Sequence, residues 1–275
     1  NQVHYHDPAE RNSEHTTLIR RSQEITRAMQ EHRLELYCQP IERIAAGNTL
    51  HKRFETLLRM HGTEGELITP DHFIPAAERF GHMPDLDMWV TEQALCWLKK
   101  APDNYSLSVN LSGHTVSNPD VLKPFQKLVE KYSSYMTRIC FEITETAAVS
   151  NYTHARQFIT RIREMGCAFA LDDYGSGVCS ISYLRNLPID FLKIDGELVT
   201  SSSSDSVALA MVESIVTMSK AMDVEIVAEH IEDKHLMKKM QQLGVEYGQG
   251  YYFGKPEPLA NILGKPGQVA TLRPA

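Results

Sequence analysis

The chain has 275 residues, 42% of them hydrophobic and 23% charged, with a formal net charge of −7 at pH 7, the balance of a globular protein able to bury a sizeable core. That acidity argues against long nucleic acids as partners, but leaves open a small phosphate ligand held by a metal cluster and one or two cationic side chains. No apolar run approaches the roughly 18 residues of a membrane-spanning helix and the first residues show no basic region followed by a hydrophobic stretch, so direct membrane insertion by this chain is not expected.

The five cysteines (Cys38, Cys96, Cys140, Cys167, Cys179) lack a C-x-x-C spacing. They read as thiols of a reducing compartment, which places the chain in the cytoplasm, by itself or as the cytoplasmic part of a membrane-anchored multidomain protein. Residues 1–6, Asn-Gln-Val-His-Tyr-His, look like the end of a strand belonging to a preceding domain. A solvated connecting helix is predicted over 8–33, with Leu18, Ile25 and Met29 at helical spacing.

Alternation over 34–40, stopped by Pro40, gives a first strand, and 53–59 a second. Helices follow over 70–80, opened by Thr69 and Pro70, and over about 85–99. One unit then recurs: strand 106–110 with helix 119–132, strand 138–144 with helix 153–165, and strand 167–173 with a short helix at 181–184. Next come strand 190–195 with helix 205–222, strand 224–228 with helix 233–243, and a last strand over 248–253. Eight strands, nearly all separated by helical patterns, predict an α/β fold with parallel strands and covering helices, favouring a TIM-like (β/α)8 barrel. An open doubly wound sheet is the alternative, although no G-x-G-x-x-G follows a strand as its dinucleotide-binding version requires. Met211, Ile215, Met218 and Met222 recur at spacings of 4, 3 and 4 and read as core packing. The serine run at 201–204 reads as a loop ending in a helix cap.

Active sites of such barrels lie at the C-terminal ends of the strands. The predicted strands end on Glu55, Asn110, Glu142, Asp172 with Asp173, Lys193, Glu229 and Gln249. Each alone has an ordinary explanation as a cap or turn residue. Together they imply a polar centre whose carboxylates would repel one another unless cations were bound, and oxygen-only ligation points to Mg²⁺ or Mn²⁺ instead of Zn²⁺. Neighbouring residues on a strand face opposite ways, so Asp172 and Asp173 can converge only where the strand has ended and the chain turns through Gly175 and Gly177. Two ions sharing a carboxylate suit phosphodiester hydrolysis, with Lys193 placed to orient water or to stabilise transition-state charge. Glu55, Leu57 and Arg59 share one strand face, and the arginine fork suits a phosphate.

These motifs, Glu55-Thr56-Leu57-Leu58-Arg59, Asn110-Leu111-Ser112, Phe141-Glu142-Ile143-Thr144-Glu145, Asp172-Asp173-Tyr174-Gly175-Ser176-Gly177, Lys193-Ile194-Asp195, Val227-Ala228-Glu229 and Gln249-Gly250-Tyr251-Tyr252-Phe253, resemble the EAL-domain cyclic di-GMP phosphodiesterases. The resemblance runs from about residue 34 to 258 and implies a barrel with an antiparallel first strand, two Mg²⁺ or Mn²⁺ ions, inhibition by Ca²⁺, and hydrolysis of cyclic di-GMP to linear pGpG. By resemblance, Glu55, Asn110, Glu142 and Asp172 ligate one metal, with Asp172 and Asp173 on the second. Lys193 and Glu229 position or activate water. Gln39, Leu57, Arg59, Asp195 and Gln249 lie near substrate, and Glu145 braces the loop after Asp173, which in the family sits at a homodimer interface.

The first 33 residues resemble the end of a GGDEF domain and its connecting helix, which makes GGDEF and sensor domains expected partners in the same protein. The barrel then occupies 34–263 and a tail 264–275. Three departures stand out: Thr56 for the family's alanine, expected to face the helix layer; His230 for its usual glycine; and Val178-Cys179-Ser180 after the glycine turn. A catalytically silent EAL-type receptor or regulatory module is the alternative, but such modules usually lose metal ligands that this chain retains.

Overall fold

The computed structural model describes residues 8–47, 50–176 and 181–263. The strand expected over 1–6, the departures at 178–180 and the tail 264–275 lie outside the described residues. Eight strands close on themselves: β1 (Leu34–Arg43), β2 (Lys52–His61), β3 (Tyr105–Asn110), β4 (Ile139–Thr144), β5 (Ala168–Tyr174), β6 (Phe191–Ile194), β7 (Glu225–Ala228) and β8 (Tyr247–Gln249). Strands β2 to β8 run parallel in sequence order. β1 lies between β2 and β8, antiparallel to both, and closes the barrel. Two-residue strands at Leu67–Ile68 and Glu257–Pro258 extend the sheet beside β2 and β1.

The parallel strands are buried on both faces, as expected where helices cover the outside. Outward residues such as Phe141 and Phe169 meet Phe125 of the helix Pro119–Glu130 and Phe158 of the helix Tyr152–Arg163, with ring centroids 5.2 to 5.6 Å apart in successive pairs. Inside the barrel, Cys140, Ala170 and Phe191 form a separate apolar layer, with the Arg53 guanidinium 4.2 Å from the Phe191 ring centre. Two residues further along each strand, on the same face, stand Glu142, Asp172, Lys193 and Glu55. The period of two thus lifts the chain from a packed floor to a charged mouth within one step.

Several elements differ from expectation. The helix Pro8–Gln30 (α1) is not merely solvated: Ile25 and Ala28 are fully buried against a cluster containing Met60, Phe73, Ala76 and Ala77. The expected helix over 70–80 breaks at Phe73, a short 3-10 turn Pro70–His72 being followed by a new helix, Ile74–Arg79, that starts with a proline in its first turn. The last strand stops at Gln249, because Gly250 has φ +151° and abuts the Ile231 backbone with no room for a Cβ. Of the methionine stripe on the helix Ser206–Met222 (α2), Ile215 is buried and Met218 and Met222 partly so, but Met211 is 43% exposed and does not belong to the core. Thr56 does face the helix layer, where its hydroxyl donates to Ser108 O at 2.7 Å and is satisfied.

Among the described residues Cys38, Cys140 and Cys167 are buried free thiols and Cys96 is partly exposed; Cys179 is outside them. No helix among the described residues is long and apolar enough to cross a membrane.

Candidate active site

Lys193, on β6 and 1% exposed, is the hub of the mouth. Its Nζ lies 2.8 Å from Glu142 Oε2, 2.8 Å from Glu229 Oε1, 2.9 Å from Asp172 Oδ1 and 3.6 Å from Glu55 Oε2. On the opposite side Glu55 accepts hydrogen bonds from Asn110 Nδ2 at 2.7 Å and from Gln249 Nε2 at 2.5 Å. Gln249 Nε2 also reaches Gln39 Oε1 at 3.2 Å, and Gln39 Nε2 donates to Gly254 O at 3.0 Å. The antiparallel register sets Gln39 directly across from Glu55, so closing the barrel with a reversed strand adds a carboxamide to the cluster.

Asp172 and Asp173 converge by a different device from the one expected. The strand does not end before them; it runs to Tyr174, but its register to β6 slips between Leu171 and Tyr174, and Asp173 has φ +56°. A bulge with a left-handed residue breaks the alternation and brings two successive carboxylates to one side. Gly175, at φ +105°, then turns the chain, and its N–H donates to Glu145 Oε2 at 3.3 Å. Glu145 opens a short helix, Glu145–Ser150, capped by the Thr144 hydroxyl, and is 2% exposed.

Charge here is unbalanced: one ammonium faces Glu55, Glu142, Asp172 and Glu229, with Asp173 beside them. Burial pushes Glu142 up to about 8; Lys193 opposes this, while the charges of Glu55 and Asp172 add to it. Burial likewise pushes Glu229 up to about 7 against the pull of Lys193. Asp173 is raised by burial and by Asp172. For Glu55 the opposite holds, since the raising effect of burial is outweighed by Lys193 together with the hydrogen bonds from Gln249 and Asn110. Burial would lower Lys193, but its four carboxylate neighbours hold it well above the ordinary lysine value.

The donor set fits a divalent cation. Asp172, Asp173 and Glu229 each offer an oxygen within 4.8 Å of the others. Asp172 Oδ1 is buried with the Lys193 ammonium at 2.9 Å as an ion-pair partner but no hydrogen bond, and Gln249 Oε1 is buried and unbonded. More carboxylates than one ammonium can pair, with an unbonded carboxamide oxygen beside them, are what a hard cation neutralises.

Beside the cluster opens a cavity of about 340 Å³ whose walls include Gln39, Glu55, Glu229, His230, Gln249 and Tyr251. Leu57, Arg59 and Asp195 are not among its walls. Arg59 lies further along β2, donating to Leu58 O at 2.8 Å with its guanidinium 5.4 Å from the Tyr37 ring centre. Asp195 lies just past β6 and caps the helix Gly196–Ser201, its Oδ1 accepting from the Glu197 and Leu198 N–H groups at 3.0 and 3.1 Å.

Sequence reasoning passed over Asp87. Oδ2 of this residue, on the helix Met83–Leu98, accepts from Ser112 N–H at 2.9 Å, Ser112 Oγ at 2.7 Å and Thr115 Oγ1 at 2.6 Å, pinning the turn that begins after Asn110. Its signal was a lone carboxylate on the otherwise apolar face of Leu86, Val90 and Ala94.

Comparison with known proteins shows the family. The sequence model of the EAL domain family matches residues 22–256. The chain is 37% identical over 240 residues to the cyclic di-GMP phosphodiesterase PdeB of Shewanella oneidensis, covering 86% of this chain and 28% of the relative. It is 34% identical over 243 residues to the cyclic di-GMP phosphodiesterase PdeF of Escherichia coli, covering 87% and 32%. The chain therefore spans about a third or less of the length of these relatives. Among solved structures, the EAL enzyme Bd1971 in its cAMP- and cyclic-di-GMP-bound form superposes with a TM-score of 0.81 at 30% identity, covering 91% of this chain and 69% of that one. The PaMucR phosphodiesterase in complex with c-di-GMP gives 0.80 at 27% identity, covering 88% and 99%.

Proposed function

Since the chain belongs to the EAL domain family, we propose that it hydrolyses one phosphodiester bond of cyclic di-GMP to give linear 5'-pGpG, using Mg²⁺ or Mn²⁺ at the strand-end cluster. The observation that carries this reading is the convergence of Glu55, Glu142, Asp172 and Glu229 on one buried ammonium, with Asn110 on Glu55 and Asp173 beside Asp172 and Glu229, more carboxylates than one ammonium can pair. Glu55, Asn110, Glu142 and Asp172 would hold one cation, and Asp172 with Asp173 the second. Bound there, such ions lower the pKa of a water molecule and neutralise charge on the phosphoryl oxygens.

The protein's own groups do the rest. Lys193 stays protonated and sets a fixed positive charge where negative charge grows on the phosphoryl group. Glu229, within 2.8 Å of that ammonium, orients the attacking water and accepts its proton. Gln39 and Gln249 face the cavity and hold the dinucleotide; for Leu57, Arg59 and Asp195, outside the cavity walls, a substrate contact rests on the resemblance alone. Glu145 steadies the turn after Asp173 through Gly175 N–H.

In the whole protein, we assign residues 1–33 to the end of a GGDEF-like domain and a connecting helix, 34–263 to the barrel and 264–275 to a tail, in a cytoplasmic, homodimeric arrangement with GGDEF and sensor domains. The test of the activity is incubation of the purified chain with cyclic di-GMP and Mg²⁺ or Mn²⁺, with products separated by chromatography. Linear pGpG is expected, its formation blocked by Ca²⁺; nucleotide binding without any product would identify a receptor instead.

A further inference from the structure

His230 follows Glu229 directly, yet the two side chains part: Glu229 turns inward to Lys193 at 2.8 Å, and His230 stands at the cavity wall, exposed. Its backbone has φ +52°, the left-handed region that glycine enters freely and a residue with a Cβ enters only against steric cost. The ring lies so close to Gly196 that a Cβ there would come within 2.2 Å of its Cγ and Nδ1. Little burial offsets the strain, because the residue is exposed. Strained residues that stability does not explain gather where ligands are held.

The floor of this cavity is polar and acidic, from Glu55, Gln39 and Gln249. It suits cations and a phosphate, so the parts of a cyclic dinucleotide that reach the rim are its bases. The rim carries flat rings: His230, and Tyr251, 57% exposed. We propose that His230 is a further substrate-binding residue of the cleft, stacking its imidazole on one guanine base; this rests on the phosphodiesterase reading above. Every base has a π-face, and an aromatic side chain that stacks on it contributes binding that a bare glycine cannot.

The test compares His230→Gly and His230→Phe with the parent chain by steady-state turnover of cyclic di-GMP in Mn²⁺ and by thermal unfolding. His230→Gly should raise KM about tenfold, the lower part of the range for one base–aromatic stack, with a smaller change in kcat. Its Tm should stay level or rise, since glycine relieves the left-handed backbone. His230→Phe keeps a ring and should bring KM back to within about threefold of the parent value. A KM unchanged in His230→Gly would overturn the assignment, and so would a rise in KM accompanied by a lowered Tm and not reversed by phenylalanine, the pattern of a structural residue. If the parent chain neither turns over nor binds cyclic di-GMP in calorimetry, the phosphodiesterase reading itself falls, and this assignment with it.

Discussion

Lys193 carries the electrostatics of the mouth almost alone, being 1% exposed and within 3.6 Å of four carboxylates. Replacing it with methionine leaves those carboxylates facing one another, and unpaired buried charge of this kind costs about 3–5 kcal/mol. Lys193→Met should therefore be destabilised by about that amount in urea titrations with chelator present, and saturating Mn²⁺ should restore part of the loss. A deficit that Mn²⁺ leaves unchanged would mean that no cation binds among these groups. Glu145 acts at one remove, through Gly175 N–H at 3.3 Å. Glu145→Ala should lose activity that high Mg²⁺ or Mn²⁺ partly restores, with nucleotide binding retained; full activity at low Mg²⁺ would make it a bystander. At this scale the residue types were legible, because strand-end carboxylates stand out against apolar runs. The bulge at Asp173 was not, since a bulge depends on the register to β6, and register is set by partners distant in sequence.

Short helices set the geometry just beyond the strand ends. Gly113–Val116, Glu145–Ser150 and Gly196–Ser201 each follow a strand and are capped by Ser112, Thr144 and Asp195 side chains. They span four to six residues, too few to show a helical period, and went unseen in the sequence. The longer helices were legible from their apolar stripes and caps, Asp205 and Asp233 opening the helices Ser206–Met222 and Lys234–Leu243 as side-chain caps. Asp87 ties the first of the short helices to the helix Met83–Leu98. Burial pushes its carboxyl up to about 6 from an ordinary 3.8, despite three hydrogen bonds to Oδ2. The folded state therefore binds this proton more tightly than the unfolded state. Its contribution to stability is greatest below the unfolded pKa and is lost as pH rises from about 4 through about 6, a total on the order of 3 kcal/mol. Glu142, Glu229 and Asp173 are raised as well and make both chains decline, so urea titrations from pH 4 to 7 should show a steeper fall in the parent chain than in Asp87→Asn; equal slopes would contradict it.

In the whole molecule, closure by the antiparallel β1 joins the sequence's two ends of the barrel and sets Gln39 opposite Glu55. The number of strands and their alternation with helices were legible from periodicity. The reversed direction of β1 entered only through the resemblance, since alternation over a single strand carries no sign of direction. The docking of α1 was legible only as an apolar spacing, because the partners of Ile25 and Ala28 lie at Met60 and over 73–77. If α1 is an integral part of this fold, Ile25→Ala should cost about 2–5 kcal/mol in chemical denaturation, as for other fully buried aliphatic side chains. A loss near zero would return the helix to the status of a loose connector.

The central claim, that the strand-end carboxylates of this barrel hold two cations, is open to direct measurement by anomalous scattering from crystals of the chain grown with Mn²⁺. Two peaks are predicted at the mouth, one within ligand distance of Glu55, Asn110, Glu142 and Asp172 and the other of Asp172 and Asp173. A single peak, or Mn²⁺ bound away from Asp172, would contradict it.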